Sequence, residues 1–180
     1  MYGLTLASGH IRAGLVTHAD LDALHQEAGV AVFLGVQAGD HLIYIAEAGS
    51  DQVTGFAARS NIRRSLLATA GGKALLTAWP DVARESFLRR RRAEEATLVE
   101  TFLDEYQKIG KTRIATNVGR RGAQYAIATA VHNQLGEAVA SITLVGATTA
   151  LRPREKKLGQ TLLRHVDVWA QRSITPREAI

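Results

Sequence analysis

The residues most able to do chemistry in this chain form a turn of small side chains running into a lysine: Thr69, Ala70, Gly71, Gly72, Lys73. A Gly–Lys pair opening a helix invites a phosphate-loop reading. That loop needs a glycine at its head, for backbone wrapping, and a Ser or Thr after the lysine, for magnesium. Leu67 and Ala74 stand at those positions, so the reading fails. A more general property survives. The first amides of a helix have no intrahelical partner, and the helix dipole favours an anion there. Small residues at a helix start also let it pack closely on a sheet, and the residues alone leave both uses open.

Other reactive groups are scarce. The six histidines (His10, His18, His25, His41, His132, His165) show no metal-ligand spacing, and no serine has a nucleophile-elbow context. The chain has no cysteine, which excludes disulfides and thiolate metal sites. The expectation is therefore no catalytic residue, no metal and no cofactor. The net charge is +5 and the pI near 9.9. The one dense basic run, Arg89 to Arg92, is followed at once by Glu94 and Glu95, the pattern of a solvated helix end rather than a nucleic-acid patch. Hydrophobic residues make up 46% of 180, which suits one soluble domain with a single core. No apolar run is long enough to span a bilayer and no signal peptide opens the chain, so a cytoplasmic protein without membrane partners is expected.

The elements that must position these groups can be read from periodicity. Thr17 and Asp20 form a capping box before a helix carrying Leu21 and Leu24, closed by Gly29. Val30–Val36 and Leu42–Ala48 read as a hairpin around Ala38, Gly39 and Asp40. A short extended piece over Val53–Ala58 follows. The small-residue turn then opens a helix that ends at Pro80, and Asp81–Leu88 begins another. Thr97 and Glu100 give a second capping signal, with Leu98, Phe102, Leu103 and Tyr106 as the apolar stripe and Gly110 as the stop. Ala123–Val131 and Glu137–Gly146 are two long strands turning at Asn133–Gly136. After Pro153, Leu158, Leu162, Val166 and Trp169 share one face of a final helix. Paired strands with short turns predict an α+β antiparallel sheet.

Two stretches carry a family resemblance. Asn61 to Leu76, with Thr69-Ala70-Gly71-Gly72-Lys73-Ala74 at its centre, resembles the hallmark of the effector-binding domain of the IclR family of transcriptional regulators. Ile127-Ala128-Thr129-Ala130-Val131, followed by Gly136 and the run to Gly146, is similar to that family's second motif. The likeness covers nearly the whole chain, in the family's order. Asn61 replaces an expected glycine, Ser65 and Ala130 expected prolines, and Leu67 an expected histidine. Thr116 and Asn117 stand where acidic residues are common.

The resemblance implies a profilin- or GAF-like domain, a curved antiparallel sheet flanked by helices with a ligand pocket on one side. It implies a sensing and oligomerising role, as a homodimer or homotetramer, with a small organic acid as effector. DNA would be bound only through a winged helix-turn-helix outside this chain. Residues 1–16 would then be the end of the wing and a linker, and residues 17–180 the effector-binding domain. The implied effector-binding residues are Thr69, Ala70 and Gly71 at the helix start, with Gln124, Ala126, Thr143 and Val145 on the two long strands; Arg63 is a possible charge partner. Alternation along a strand places Ser141, Thr143 and Val145 on one face, and Gln124 with Ala126 on one face of its neighbour. Two rival expectations stand beside this one: a small hydrolase or isomerase, which needs an acid–base pair in the pocket, and a pure dimerisation module, which needs a filled core.

Overall fold

A computed structural model describes residues 14–49, 63–119 and 121–172. The piece expected over Val53–Ala58 and most of the segment 1–16 lie outside the described residues. Helix α1 (His18–Ala28) starts at the expected capping box. Thr17 Oγ1 accepts the Asp20 amide at 3.2 Å, and the Asp20 carboxylate accepts the Thr17 amide at 2.8 Å. Gly29 ends the helix at φ 68°, a left-handed conformation that costs glycine little. Strands β1 (Ala31–Ala38) and β2 (His41–Ala48) form the first hairpin, and β3 (Arg63–Ser65) pairs with β2.

Three helices follow: α2 (Ala70–Ala78), α3 (Asp81–Arg91) and α4 (Ala96–Thr112). Then come β4 (Ala115–Val118), β5 (Gln124–His132) and β6 (Ala138–Ala147). The short α5 (Thr148–Leu151) and a 3-10 turn (Arg152–Arg154) lead into the last helix, α6 (Glu155–Ala170). The strands make one antiparallel sheet in the order β3-β2-β1-β6-β5-β4, curled into a half-barrel, and the fold is α+β. Bulges at Leu34/Gly35 and Val131/His132 add local twist and bend.

The sheet has a core on each face. On one, Leu21 and Leu24 of α1 meet Leu158, Leu162, Val166 and Trp169 of α6 over Val32, Leu34, Ile142 and Leu144. On the other, Leu75 and Leu76 of α2 and Val99, Phe102 and Ile109 of α4 pack over Phe33, Leu42, Ala130 and Val145. Fully buried apolar side chains of this kind each stabilise by roughly 1.5–3 kcal/mol.

Three local expectations are corrected. Helix α4 begins at Ala96 with Glu95 before it and no side-chain cap; Thr97 lies inside it, accepting the Thr101 hydroxyl, and Glu100 pairs with Arg92. Gly110 does not stop it: the helix runs to Thr112, where Arg113 takes the left-handed turn at φ 60°. Leu103 is off the buried stripe, 40% exposed. The strands β3 and β4 had no sequence signal of their own. The basic run ends α3, where cations suit the helix C-terminus, and Arg90 and Arg91 reach Asp40 in the β1–β2 turn.

Candidate functional site

Strand register arranges the α2 side of the sheet in rows. Ala31, Val145, Ala126 and Asn117 sit side by side across β1, β6, β5 and β4; the next row is Phe33, Thr143, Ala128 and Ala115; the next is Gly35, Ser141 and Ala130. Helix α2 lies on the second and third rows. The first row carries two alanines, and beside it a cavity of about 740 Å³ opens. Its lining includes Tyr44, Arg63, Arg64, Thr69, Ala70, Asn117, Gln124, Ala126 and Val145. No Asp, Glu or His lines it among the described residues.

The start of α2 forms one edge of this cavity. Thr69 caps the helix: its Oγ1 accepts the Gly72 amide at 3.1 Å and donates to the Ser65 carbonyl at 3.1 Å. The Lys73 amide is satisfied by the Thr69 carbonyl at 3.0 Å. No described residue accepts the amide hydrogens of Ala70 or Gly71. These are the helix's first two donors, and Ala70 borders the cavity. Asn117 braces the turn, donating from Nδ2 to the Ala68 carbonyl at 3.1 Å.

The two glycines are fixed by contact. A Cβ on Gly72 would meet the Leu66 backbone, 2.5 Å from its Cα. A Cβ on Gly71 would lie 2.7 Å from Ser141 Oγ and 2.9 Å from Thr143 Oγ1. Both hydroxyls are buried without a hydrogen-bond partner. Behind them Lys73, 2% exposed, turns away from the cavity and pairs with Glu105 of α4 at 2.5 Å.

Tyr44 and Arg64 also line the cavity. Leu42 lies opposite Arg64, and Tyr44 follows two residues on, so all three belong to the α2 side. Burial pushes the Tyr44 phenol up, opposed by the Thr143 hydroxyl and the Arg64 guanidinium. Thr143 is thus near enough to act on the phenol without meeting hydrogen-bond geometry. The phenol stays a neutral donor across the physiological range.

Of the seven residues singled out in the sequence, Thr69, Ala70, Gln124, Ala126 and Val145 are brought together on the cavity wall. Gly71 and Thr143 meet each other one layer behind it. Arg63 is on the wall and exposed. Sequence reasoning missed Tyr44, Arg64 and Leu98. The β2 alternation that put Leu42 inward carried the signal for Tyr44; Arg64 depended on the unforeseen β3.

The family model "Bacterial transcriptional regulator IclR C-terminal" matches residues 5–172. The chain belongs to this family. Its fold is that of solved IclR structures. IclR of Thermotoga maritima superposes with a TM-score of 0.75 at 17% identity, covering 94% of this chain and 73% of that one. An IclR-family transcriptional regulator of Brucella abortus gives 0.75 at 16%, covering 93% and 67%. The inducer-binding domain of the PobR transcription factor from Acinetobacter, a double mutant in complex with 3-hydroxybenzoic acid, gives 0.69 at 15%, covering 85% and 94%. No curated protein matches the chain. The departures from the family motifs are absorbed locally: Ser65 donates to Glu95 at 2.8 Å and accepts the Leu67 amide at 3.2 Å, while Leu67 is buried in the second core.

Proposed function

We propose that this IclR C-terminal domain senses a small organic acid, whose carboxylate accepts hydrogen bonds from the Ala70 and Gly71 amides. The observation that carries this reading is the Ala70 amide, which no described residue accepts, at the edge of a cavity of about 740 Å³ whose described walls hold no carboxylate, with the Gly71 amide next to it in the same state. The absence of an acid–base pair on those walls favours binding over hydrolysis or isomerisation, and the open volume argues against a module that only dimerises. Binding would draw on α2, whose Lys73 is tied to α4 through Glu105. An acid that prefers one α2 position shifts the population of states, and in the whole regulator this would change the spacing of attached DNA-binding domains. Self-association fits this role. It predicts sedimentation above the 19.4 kDa monomer at tens of micromolar, and a purely monomeric profile would contradict it.

The geometry selects the test. Proline is tolerated at the first helical position, and Thr69 before it has φ −129° and ψ 145°, extended values that proline accepts in its predecessor. Ala70→Pro therefore removes one amide donor while keeping the helix start. A hydrogen bond to a charged group contributes about 1.5–3 kcal/mol, so calorimetry with a panel of carboxylic acids should show about tenfold or greater weakening. Equal affinity in a folded variant would move the site elsewhere.

A further inference from the structure

A second cavity, of about 490 Å³, opens between the end of α4 and the start of α6. It shares no lining residue with the first: Asn117 of β4 lines one, and Thr116 beside it lines the other, as alternation along a strand requires. Helical spacing builds its two long walls. Glu105, Lys108, Ile109 and Thr112 fall on one face of α4, and Lys156, Gly159, Gln160 and Leu163 on one face of α6. Its apolar lining comes from Ile109, which is buried, and from Ile114 and Leu163, which are half-buried.

The charges on these walls are unbalanced. Lys108, Arg152 and Lys156 all line the cavity, and none forms an ion pair with a described residue. Arg152 does no more than act through its charge on the Tyr125 phenol. The two carboxylates on the same walls are already engaged. Glu105 pairs with the buried Lys73 at 2.5 Å, and Glu155 accepts the Tyr125 hydroxyl at 2.6 Å. With Glu105 neutralised by Lys73, only Glu155 offsets the three cations, and the cavity keeps a net positive charge. Arginines at other places on the surface do find acids, Arg92 with Glu100 and Arg113 with Asp167.

We infer that the α4–α6 cavity is a second ligand site, for a small phosphate monoester with an apolar body. A phosphate monoester carries about −1.5 to −2 charge and three acceptor oxygens that point in different directions, which suits three separate cations better than a flat, singly charged carboxylate. Lysine meets phosphate as a point charge, and arginine adds a planar fork of donors. The volume lies within the roughly 300–1,000 Å³ of small-molecule sites. Ile109, Ile114 and Leu163 give the body of such a ligand an apolar surface, which a nucleic-acid backbone would not use. The inference is independent of the acid-sensing reading, because the two cavities have no residue in common.

The test is calorimetry and amide chemical-shift mapping on the 180-residue chain with phenyl phosphate and hexyl phosphate, beside inorganic phosphate and a short DNA duplex. At least one of the two esters should bind about tenfold or more tightly than inorganic phosphate, through its apolar body. Its largest shifts should fall on residues 108–112 and 156–160. Lys108 and Lys156 are exposed, so the double variant Lys108→Gln/Lys156→Gln should fold and bind the ester about tenfold or more weakly. Arg89→Gln, at an exposed arginine of α3, should bind it as wild type does. The shift map on the wild type decides the matter even where a variant fails to fold. No binding of either ester, largest shifts at Ala70 and Gly71, inorganic phosphate binding as tightly as the esters, or the DNA duplex displacing them from the same lysines would each overturn the inference. None of these results bears on whether an acid binds at α2.

Discussion

Adding one methyl group at Gly71 measures how closely α2 is pressed onto the sheet. In Gly71→Ala the new Cβ would sit 2.7 Å from Ser141 Oγ, 2.9 Å from Thr143 Oγ1 and 3.3 Å from Leu42 Cδ2. Neither obstacle is the far end of a long flexible side chain: both oxygens sit on short, fully buried side chains of β6, which is paired on either side with β1 and β5. Overpacking of this kind costs about 1–3 kcal/mol, while alanine in a helix gains up to about 1 kcal/mol over glycine. The net expectation is a loss of about 1–2 kcal/mol, a fall in Tm of roughly 2–8 °C for a domain of this size. Ser141→Ala removes an oxygen that has no partner and should be neutral or stabilising. Combined with Gly71→Ala it should recover about 1 kcal/mol, read as a coupling energy in a double-mutant cycle. Gly72→Ala should resist such rescue, because its obstacle is the Leu66 backbone. Thermal and urea denaturation of the four Gly71/Ser141 proteins decides the matter. A Gly71→Ala protein as stable as wild type, with no coupling to Ser141, would refute the close packing.

Two further outcomes follow from the ion pairs. Lys73 is almost wholly buried and Glu105 is 35% exposed, so removing either partner has unequal effects. Glu105→Gln strands a buried ammonium and should cost about 3 kcal/mol in urea unfolding, whereas Lys73→Met leaves a carboxylate that water reaches and should cost less; the reverse order would contradict the pairing. For Asp20, burial raises the pKa, but hydrogen bonds from Arg172 and Thr17 outweigh it and hold the group below the ordinary 3.8. Its contribution is therefore complete above that value and is lost as pH falls through it toward the lower folded value. Arg172→Gln should destabilise at pH 7, and its gap to wild type should shrink as pH falls below 3.8, as read by Tm against pH; a gap that does not change with pH would refute the link.

Long amphipathic elements with caps were legible because their signals are local. The Thr17 box, the Leu158–Trp169 face and the two long strands each need only neighbouring residues. Strands β3 and β4 were not, since three- and four-residue strands have no periodicity to read and exist because β2 and β5 offer edges to pair with. The end of α4 went wrong for the reason glycine is a weak stop. Gly110 tolerates helix, and a Cβ there would have only one neighbour, at 4.0 Å; the turn is made by Arg113 instead. In the site, the helix start and the β5–β6 residues came from the motifs. Tyr44 and Arg64 reach the cavity from β2 and β3, whose pairing depends on long-range strand order. The roles of Gly71 and Gly72 as contact residues needed the distances to Ser141 and Leu66.

The claim that a carboxylate sits at the start of α2 is tested most directly by amide chemical shifts. A small acid that binds in calorimetry is titrated into 15N-labelled protein, and the Ala70 and Gly71 resonances are followed. The account predicts that these two amides shift furthest downfield, as a new charged acceptor requires, and saturate with the calorimetric Kd, with Gly72 and Lys73 moving little because Thr69 already holds their hydrogens. Saturable binding that leaves Ala70 and Gly71 unmoved while shifting Arg89–Arg92 would contradict it.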